Sequence, residues 1–197
     1  MNLPNRLTTI RLFFVPLLVV VYLIPYEQFN IVVPTYELLS THLTIIDIIS
    51  FLLFFLASIT DYLDGYLARK NNQVTTFGKF MDPIADKLIV NTALLLLVSS
   101  NAISIIVPII MIGRDTIVDA IRMVSVTKNK VLAASYLGKA KTMLQMMAIS
   151  VLLLNNVIFD YFNIPMGSIL IVIATIVSVI SGVDYFIKNK DYILESM

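Results

Sequence analysis

The 197-residue chain contains no cysteine and no tryptophan, a single histidine and only six glycines. Without cysteine, neither disulfides nor thiolate metal sites are available. Without tryptophan, tyrosine alone is left for any aromatic belt at a membrane interface. Charge is scarce too: 14% of residues are Asp, Glu, Lys or Arg, against about a quarter in a water-soluble domain. That is too little to coat a soluble surface. The formal net charge of +1 provides no basic field of the kind that attracts nucleic acid. No internal repeat or low-complexity tract stands out.

What is there is apolar: hydrophobic residues make up 58% of the chain and the mean hydropathy is +0.90. Several runs approach the roughly 20 residues that a helix needs to cross hydrocarbon. Six segments can be drawn, at about 10–25, 43–60, 83–99, 103–121, 143–158 and 166–186. Turn and breaker chemistry separates them: Pro25 to Pro34, Asn71-Asn72, Ser99-Ser100-Asn101, Lys128-Asn129-Lys130, and Asn155-Asn156 through Pro165. Arg6 and Arg11 ahead of the apolar stretch from Leu12 to Ile24 also fit the charged and hydrophobic regions of a signal peptide. Tyr22, Pro25 and Tyr26 at its end, with no small-residue cleavage pattern, favour a retained first helix. The expectation is an all-α integral membrane protein, one domain over 1–197, with six transmembrane helices.

All 14 Lys and Arg lie at the N-terminus, the second-to-third connection, the fourth-to-fifth connection with its flanking helix ends, or the C-terminus. None lies at 26–42, 99–104 or 156–168. Positive residues favour the cytoplasm, so both termini are expected on the cytoplasmic side of the cell membrane. Counting inward from the outer helix ends at 1.5 Å per residue puts Asp86 roughly 20 Å, Arg114 about 18 Å and Lys141 about 21 Å deep. Asp61 is nearer the cytoplasmic edge. Snorkelling suits Lys188, Lys190 and Lys130, but a short aspartate cannot stretch as far. Charges at one level therefore point to a polar cavity open to the cytoplasm.

The stretch Asp61-Tyr-Leu-Asp64-Gly65-Tyr-Leu-Ala68-Arg69 continues to Gly78-Lys-Phe-Met-Asp82-Pro-Ile-Ala-Asp86. Asp61 and Asp64 are i and i+3, Asp82 and Asp86 i and i+4, so each pair shares a helix face. Gly65 and Ala68 leave little bulk beside the first pair, which lets a phosphate or nucleotide come close to the backbone. Carboxylates brought together repel unless cations neutralise them, and hard oxygen ligands select Mg²⁺, Ca²⁺ or Mn²⁺. Two such ions can clamp a diphosphate, and one carboxylate can act as general base toward a hydroxyl. Each piece has a plainer reading: Asp82 before Pro83 also fits an ordinary helix start, and Arg69 an exposed ion-pair partner.

The order Asp-x2-Asp-Gly-x2-Ala-Arg-x8-Gly-x3-Asp-x3-Asp, spanning 61–86, resembles the signature of the CDP-alcohol phosphotransferase family, with every fixed position filled. The resemblance implies that Asp61, Asp64, Asp82 and Asp86 hold two divalent ions, normally Mg²⁺ or Mn²⁺. It implies that Asp86 is the catalytic base, that Gly65, Ala68, Arg69 and Gly78 border the CDP-diacylglycerol, and that the protein is a homodimer. The opening Asn2-Leu-Pro4-Asn5-Arg-Leu-Thr8-Thr-Ile-Arg11 resembles that of bacterial phosphatidylglycerophosphate synthases. An N-capped interfacial helix explains Pro4-Asn5 and Thr8-Thr9 equally well, and no role is assigned to Asn5, Thr8 or Arg11.

Arg114, Arg122, Lys139 and Lys141 flank the fourth-to-fifth connection. Cations of this kind suit an acceptor that carries a phosphate, such as glycerol 3-phosphate, although cytoplasmic loops are basic in any case. Asp115 and Asp119 are near enough to pair with them. His42 falls in the outer loop and receives no role; the tyrosines and Met143, Met146 and Met147 read as interface and packing residues. The expected activity is a phosphatidyl transfer from CDP-diacylglycerol to glycerol 3-phosphate in phospholipid biosynthesis, releasing CMP. Cardiolipin- or phosphatidylserine-forming chemistry is the alternative within the family. A small transporter is the alternative outside it, although transporter sites sit near the midplane between repeated halves.

Overall fold

The computed structural model describes the backbone of residues 3–38, 41–70, 75–127 and 135–194. Side chains are described over the same ranges except at 3–4, 62–70, 79, 127 and 191–194. Each of the six apolar segments forms the body of one long helix: α1 (Leu3–Leu23), α2 (Ile45–Lys70), α3 (Thr76–Ser99), α4 (Ile106–Thr127), α5 (Tyr136–Leu153) and α7 (Met166–Leu194). A short α6 (Val157–Asp160) follows α5. The chain is not purely helical. Thr35–Leu38 (β1) and Thr41–Thr44 (β2) pair antiparallel where a loop was expected, with Tyr36 opposite Leu43 and Glu37 opposite His42. Threonine and tyrosine favour strands, and Thr41 Oγ1 fixes the hairpin by donating 2.9 Å to Asp160.

Polar caps set several helix starts. Thr44 N and Oγ1 both donate to Asp47 Oδ2, at 2.9 and 2.8 Å, while Asp47 N returns a 3.2 Å bond to Thr44 Oγ1. This reciprocal box satisfies donors that a helix leaves open at its first turn. Thr75 caps α3 by accepting 3.0 Å from Gly78 N. The helix therefore begins seven residues before the apolar segment, and Asp82-Pro83 lies inside it rather than at its start. α4 begins at Ile106 rather than 103, so the rise from its start to Arg114 is about 12 Å and not 18 Å. The non-glycine residues with positive φ among the described residues are all asparagines: Asn30, Asn101, Asn155, Asn156 and Asn163. Asparagine tolerates the left-handed region better than other side chains, and these five take over turn work that a glycine-poor chain leaves undone.

Contacts divide the chain into two compact units, Met1–Ala102 with Ser150–Pro165 and Ile103–Ile149 with Met166–Met197. In the first, α1 packs on both α2 and α3. Leu18, Phe54, Ala57, Ala85, Ala93 and Leu94 are buried there, and the alanines let helices approach closely. In the second, α4 packs along α7, with Val118, Ile121 and Tyr185 in its core. Outward positions are apolar: Phe13, Val20, Ile109, Ile117, Val172 and Ile176 are all more than half exposed, an exterior suited to hydrocarbon rather than water. By length and composition, Asn5–Leu23 and Met166–Lys190 are long and apolar enough to cross a membrane. The bodies of α3, α4 and α5 carry Asp82, Asp86, Arg114, Asp115, Lys139 and Lys141 instead, which lowers their hydropathy.

Candidate active site

In the first unit a polar stripe runs along α1. Asn5, Thr8 and Arg11 recur at i, i+3 and i+6, the spacing of one helix face, on a helix that is otherwise mostly apolar. The carboxylates of α2 and α3 meet this stripe. Arg11, fully buried, donates from Nη1 to Asp61 Oδ1 at 3.0 Å and to Asp86 Oδ1. Thr8 Oγ1 donates 2.6 Å to Asp82 Oδ1. Asn5 Oδ1 accepts a 2.8 Å bond from Thr75 Oγ1, which joins α1 to the cap of α3. The side chains of Asp61 and Asp86 keep about a third of their surface open, 33% and 34%, so the cluster is reachable from outside.

Gly78 is buried in this region. A Cβ on it would stand 3.4 Å from each of Asn5 Oδ1, Asp82 Oδ2 and Thr75 Oγ1, so the missing methyl leaves a nook ringed by oxygen. Among the described residues no three ligating side chains close on one point. The donor chemistry nevertheless fits a hard divalent ion: every candidate ligand is an oxygen. Asp61 and Asp86 already converge on one cation, Arg11, and Asp82 is held beside them by Thr8. Asp64, Gly65, Ala68 and Arg69 belong to α2, but their side chains lie outside the described residues.

The second unit holds the cations. Asp115 on α4 receives Arg114 Nη1 on Oδ1 at 3.0 Å and Lys141 Nζ of α5 on Oδ2 at 2.7 Å. Arg114 also donates from Nη2 to Ser181 of α7. It lies against Gly182, where a Cβ would come within 2.8 Å of Arg114 Cγ. Two cations thus converge on one carboxylate, side by side, an arrangement whose donors suit an anion. The other two predicted cations do not join them. Arg122 turns to Tyr185, with Nε 3.3 Å from the hydroxyl and the guanidinium 5.5 Å over the ring, a cation–π contact. Lys139 is exposed, and no bond from its side chain to this group is present among the described residues.

Asn5, Thr8, Arg11, Ser181 and Gly182 are the residues that sequence reasoning left without a role. The first three had a signal in their spacing, since a polar face on an apolar helix needs partners; the last two had none. The expected pairing of Asp115 with the neighbouring cations is present. His42 lies on β2 with Glu37 at 3.7 Å, both side chains mostly exposed.

The CDP-alcohol phosphatidyltransferase family model matches residues 1–180. A Bacillus subtilis protein named CDP-diacylglycerol–glycerol-3-phosphate 3-phosphatidyltransferase is 39% identical over 188 residues, covering 95% of each chain. Similar proteins of the same name occur in Rickettsia bellii, at 36% identity over 97% of each chain, and in Haemophilus influenzae, at 37% identity over 100% of this chain and 97% of that one. A signature filled at every position, the meeting of Asp61, Asp82 and Asp86 on one helix face, and a match over nearly the whole length agree: the chain belongs to the CDP-alcohol phosphatidyltransferase family.

Proposed function

We propose that this protein is a CDP-diacylglycerol–glycerol-3-phosphate 3-phosphatidyltransferase. It transfers the phosphatidyl group of CDP-diacylglycerol to glycerol 3-phosphate and releases CMP. The observation that carries the reading is the gathering of signature aspartates from α2 and α3, in a chain that matches relatives of that name over 95% and 97% of its length.

Asp61, Asp64, Asp82 and Asp86 would hold two divalent ions, Mg²⁺ or Mn²⁺, whose charge offsets that of the diphosphate and of the leaving CMP. Asp86 takes the proton from the acceptor's 1-hydroxyl, and that oxygen attacks the lipid-side phosphorus. Gly65, Ala68 and Gly78 leave room for the CDP, and Arg69 binds a phosphate. Arg114 and Lys141 hold the acceptor's phosphate, a reading supported by their convergence on Asp115. Arg122 and Lys139 add to the positive field around them. All six long helices span the cell membrane, with both termini and the polar cavity on the cytoplasmic side, as the segregation of Lys and Arg favours. The working form is a homodimer.

Purified protein in detergent, given CDP-diacylglycerol and a panel of acceptors, tests this by CMP release. Glycerol 3-phosphate should support turnover, and glycerol, serine and phosphatidylglycerol should not. Turnover with serine or phosphatidylglycerol instead would move the acceptor and leave the family assignment standing.

A further inference from the structure

Asp61 and Asp86 belong to different helices, yet both give Oδ1 to the same nitrogen, Arg11 Nη1. Arginine keeps its charge wherever it is placed. Buried at 0% exposure, it is costly to leave without carboxylate partners. The burial of Arg11 and the convergence of the two aspartates are therefore one arrangement, in which each offsets the charge of the other. The same oxygens belong to the set proposed to hold metal.

We infer that Arg11 is a built-in counterion of the carboxylate cluster. It holds α2 and α3 in register before a divalent ion binds, and then competes with that ion for Asp61 and Asp86. This rests on the reading of the aspartates as metal ligands. It makes Arg11 a positioning residue with two opposed effects. Losing its charge leaves the carboxylates to repel one another in the metal-free protein. The same loss removes a fixed positive charge that any incoming cation must meet. A residue that merely packed α1 against its neighbours would weaken the protein equally with and without metal.

The test compares the full-length parent with Arg11→Gln and Arg11→Lys in detergent. Far-ultraviolet circular dichroism follows melting, since the chain has no tryptophan, in EDTA and in saturating MnCl₂. Electron paramagnetic resonance of free Mn²⁺ gives the affinity. In EDTA, Arg11→Gln should melt lower by on the order of 10 °C, and Mn²⁺ should restore most of the loss. Its Mn²⁺ affinity should rise on the order of ten-fold. Arg11→Lys keeps a charge without the planar fork and should be intermediate in both; it carries the test alone if the glutamine variant does not fold. An unchanged melt in EDTA, an equal loss in both conditions, or weaker Mn²⁺ binding would overturn the inference. A parent protein that binds no Mn²⁺ overturns the metal reading itself, and this inference with it.

Discussion

Thr8 and Asp82, 74 residues apart in sequence, share a 2.6 Å hydrogen bond in which the threonine hydroxyl donates to the carboxylate. The bond aims one oxygen of Asp82 toward α1 and fixes the direction of the other. Thr8→Val keeps the shape and deletes the donor. A hydrogen bond to a charged group contributes about 1.5–3 kcal/mol, so the half-activating Mn²⁺ concentration for CMP release should rise roughly 10-fold or more. Thr8→Ser should behave like the parent. An unaltered metal requirement in the valine variant would reduce Thr8 to a packing residue.

Chelation is the broader test of the acidic cluster. EDTA should abolish CMP release, and excess Mg²⁺ or Mn²⁺ should restore it, because carboxylates brought together repel unless cations neutralise them. Full turnover after thorough metal stripping would sink the divalent-ion proposal.

Asp86→Asn should lower turnover by about 10²–10⁴-fold, the usual contribution of a general base, and change the apparent constant for CDP-diacylglycerol far less. Steady-state CMP release at varied lipid and varied acceptor separates the two. Near-parent turnover would place the base on another residue, and equal loss of lipid binding would make Asp86 a metal ligand first.

Arg114→Gln and Lys141→Gln should each raise the apparent constant for glycerol 3-phosphate by about 10- to 150-fold, the equivalent of one lost charge-assisted hydrogen bond. The constant for CDP-diacylglycerol should hardly move. Arg114→Lys should rescue only in part, since an ammonium cannot serve Asp115 and Ser181 with the planar geometry that the guanidinium uses here. If Arg114→Gln weakens both substrates alike, the residue supports the fold of its unit instead.

Gly182→Ala probes the same site without touching a charge. Its Cβ would fall 2.8 Å from Arg114 Cγ, close to the root of that side chain, so the whole arginine must shift. Misplacing a binding group by about 1 Å can cost up to 10²-fold, and the acceptor constant should rise accordingly. Alanine is also the better helix former by about 1 kcal/mol, so the circular-dichroism melt should not fall much. A lower melting temperature with an unchanged acceptor constant would show strain in the helix pair, not loss of a binding group.

The helices were legible because long apolar runs declare themselves, and the helix breaks at Asn101 and Asn155-Asn156 because asparagine accepts the backbone those turns require. The start of α3 was misplaced for a physical reason. Asp82-Pro83 imitates a helix beginning, while the true cap, Thr75, precedes polar residues that no hydropathy pattern picks out. The strand pair Thr35–Leu38 and Thr41–Thr44 was missed because its strands are four residues each and follow a proline. In the site, the grouping of Asp61, Asp82 and Asp86 was legible from the spacing of the aspartates. The partners of Arg11 were not, because they lie 50 and 75 residues away and only packing brings them together. Arg122 was grouped with the other cations by nearness in sequence, whereas its helix face presents it to Tyr185.

That separation of 75 residues between Arg11 and Asp86 is also an interval of time. A chain made from its N-terminus releases α1 while both carboxylates for its arginine are still untranslated. At about 5–20 residues per second, Arg11 waits roughly 4–15 s for Asp86 to be synthesised. Until α2 and α3 have been made, the guanidinium that ends fully buried has neither carboxylate to meet its charge, so the packing of α1 is completed only by helices that follow it.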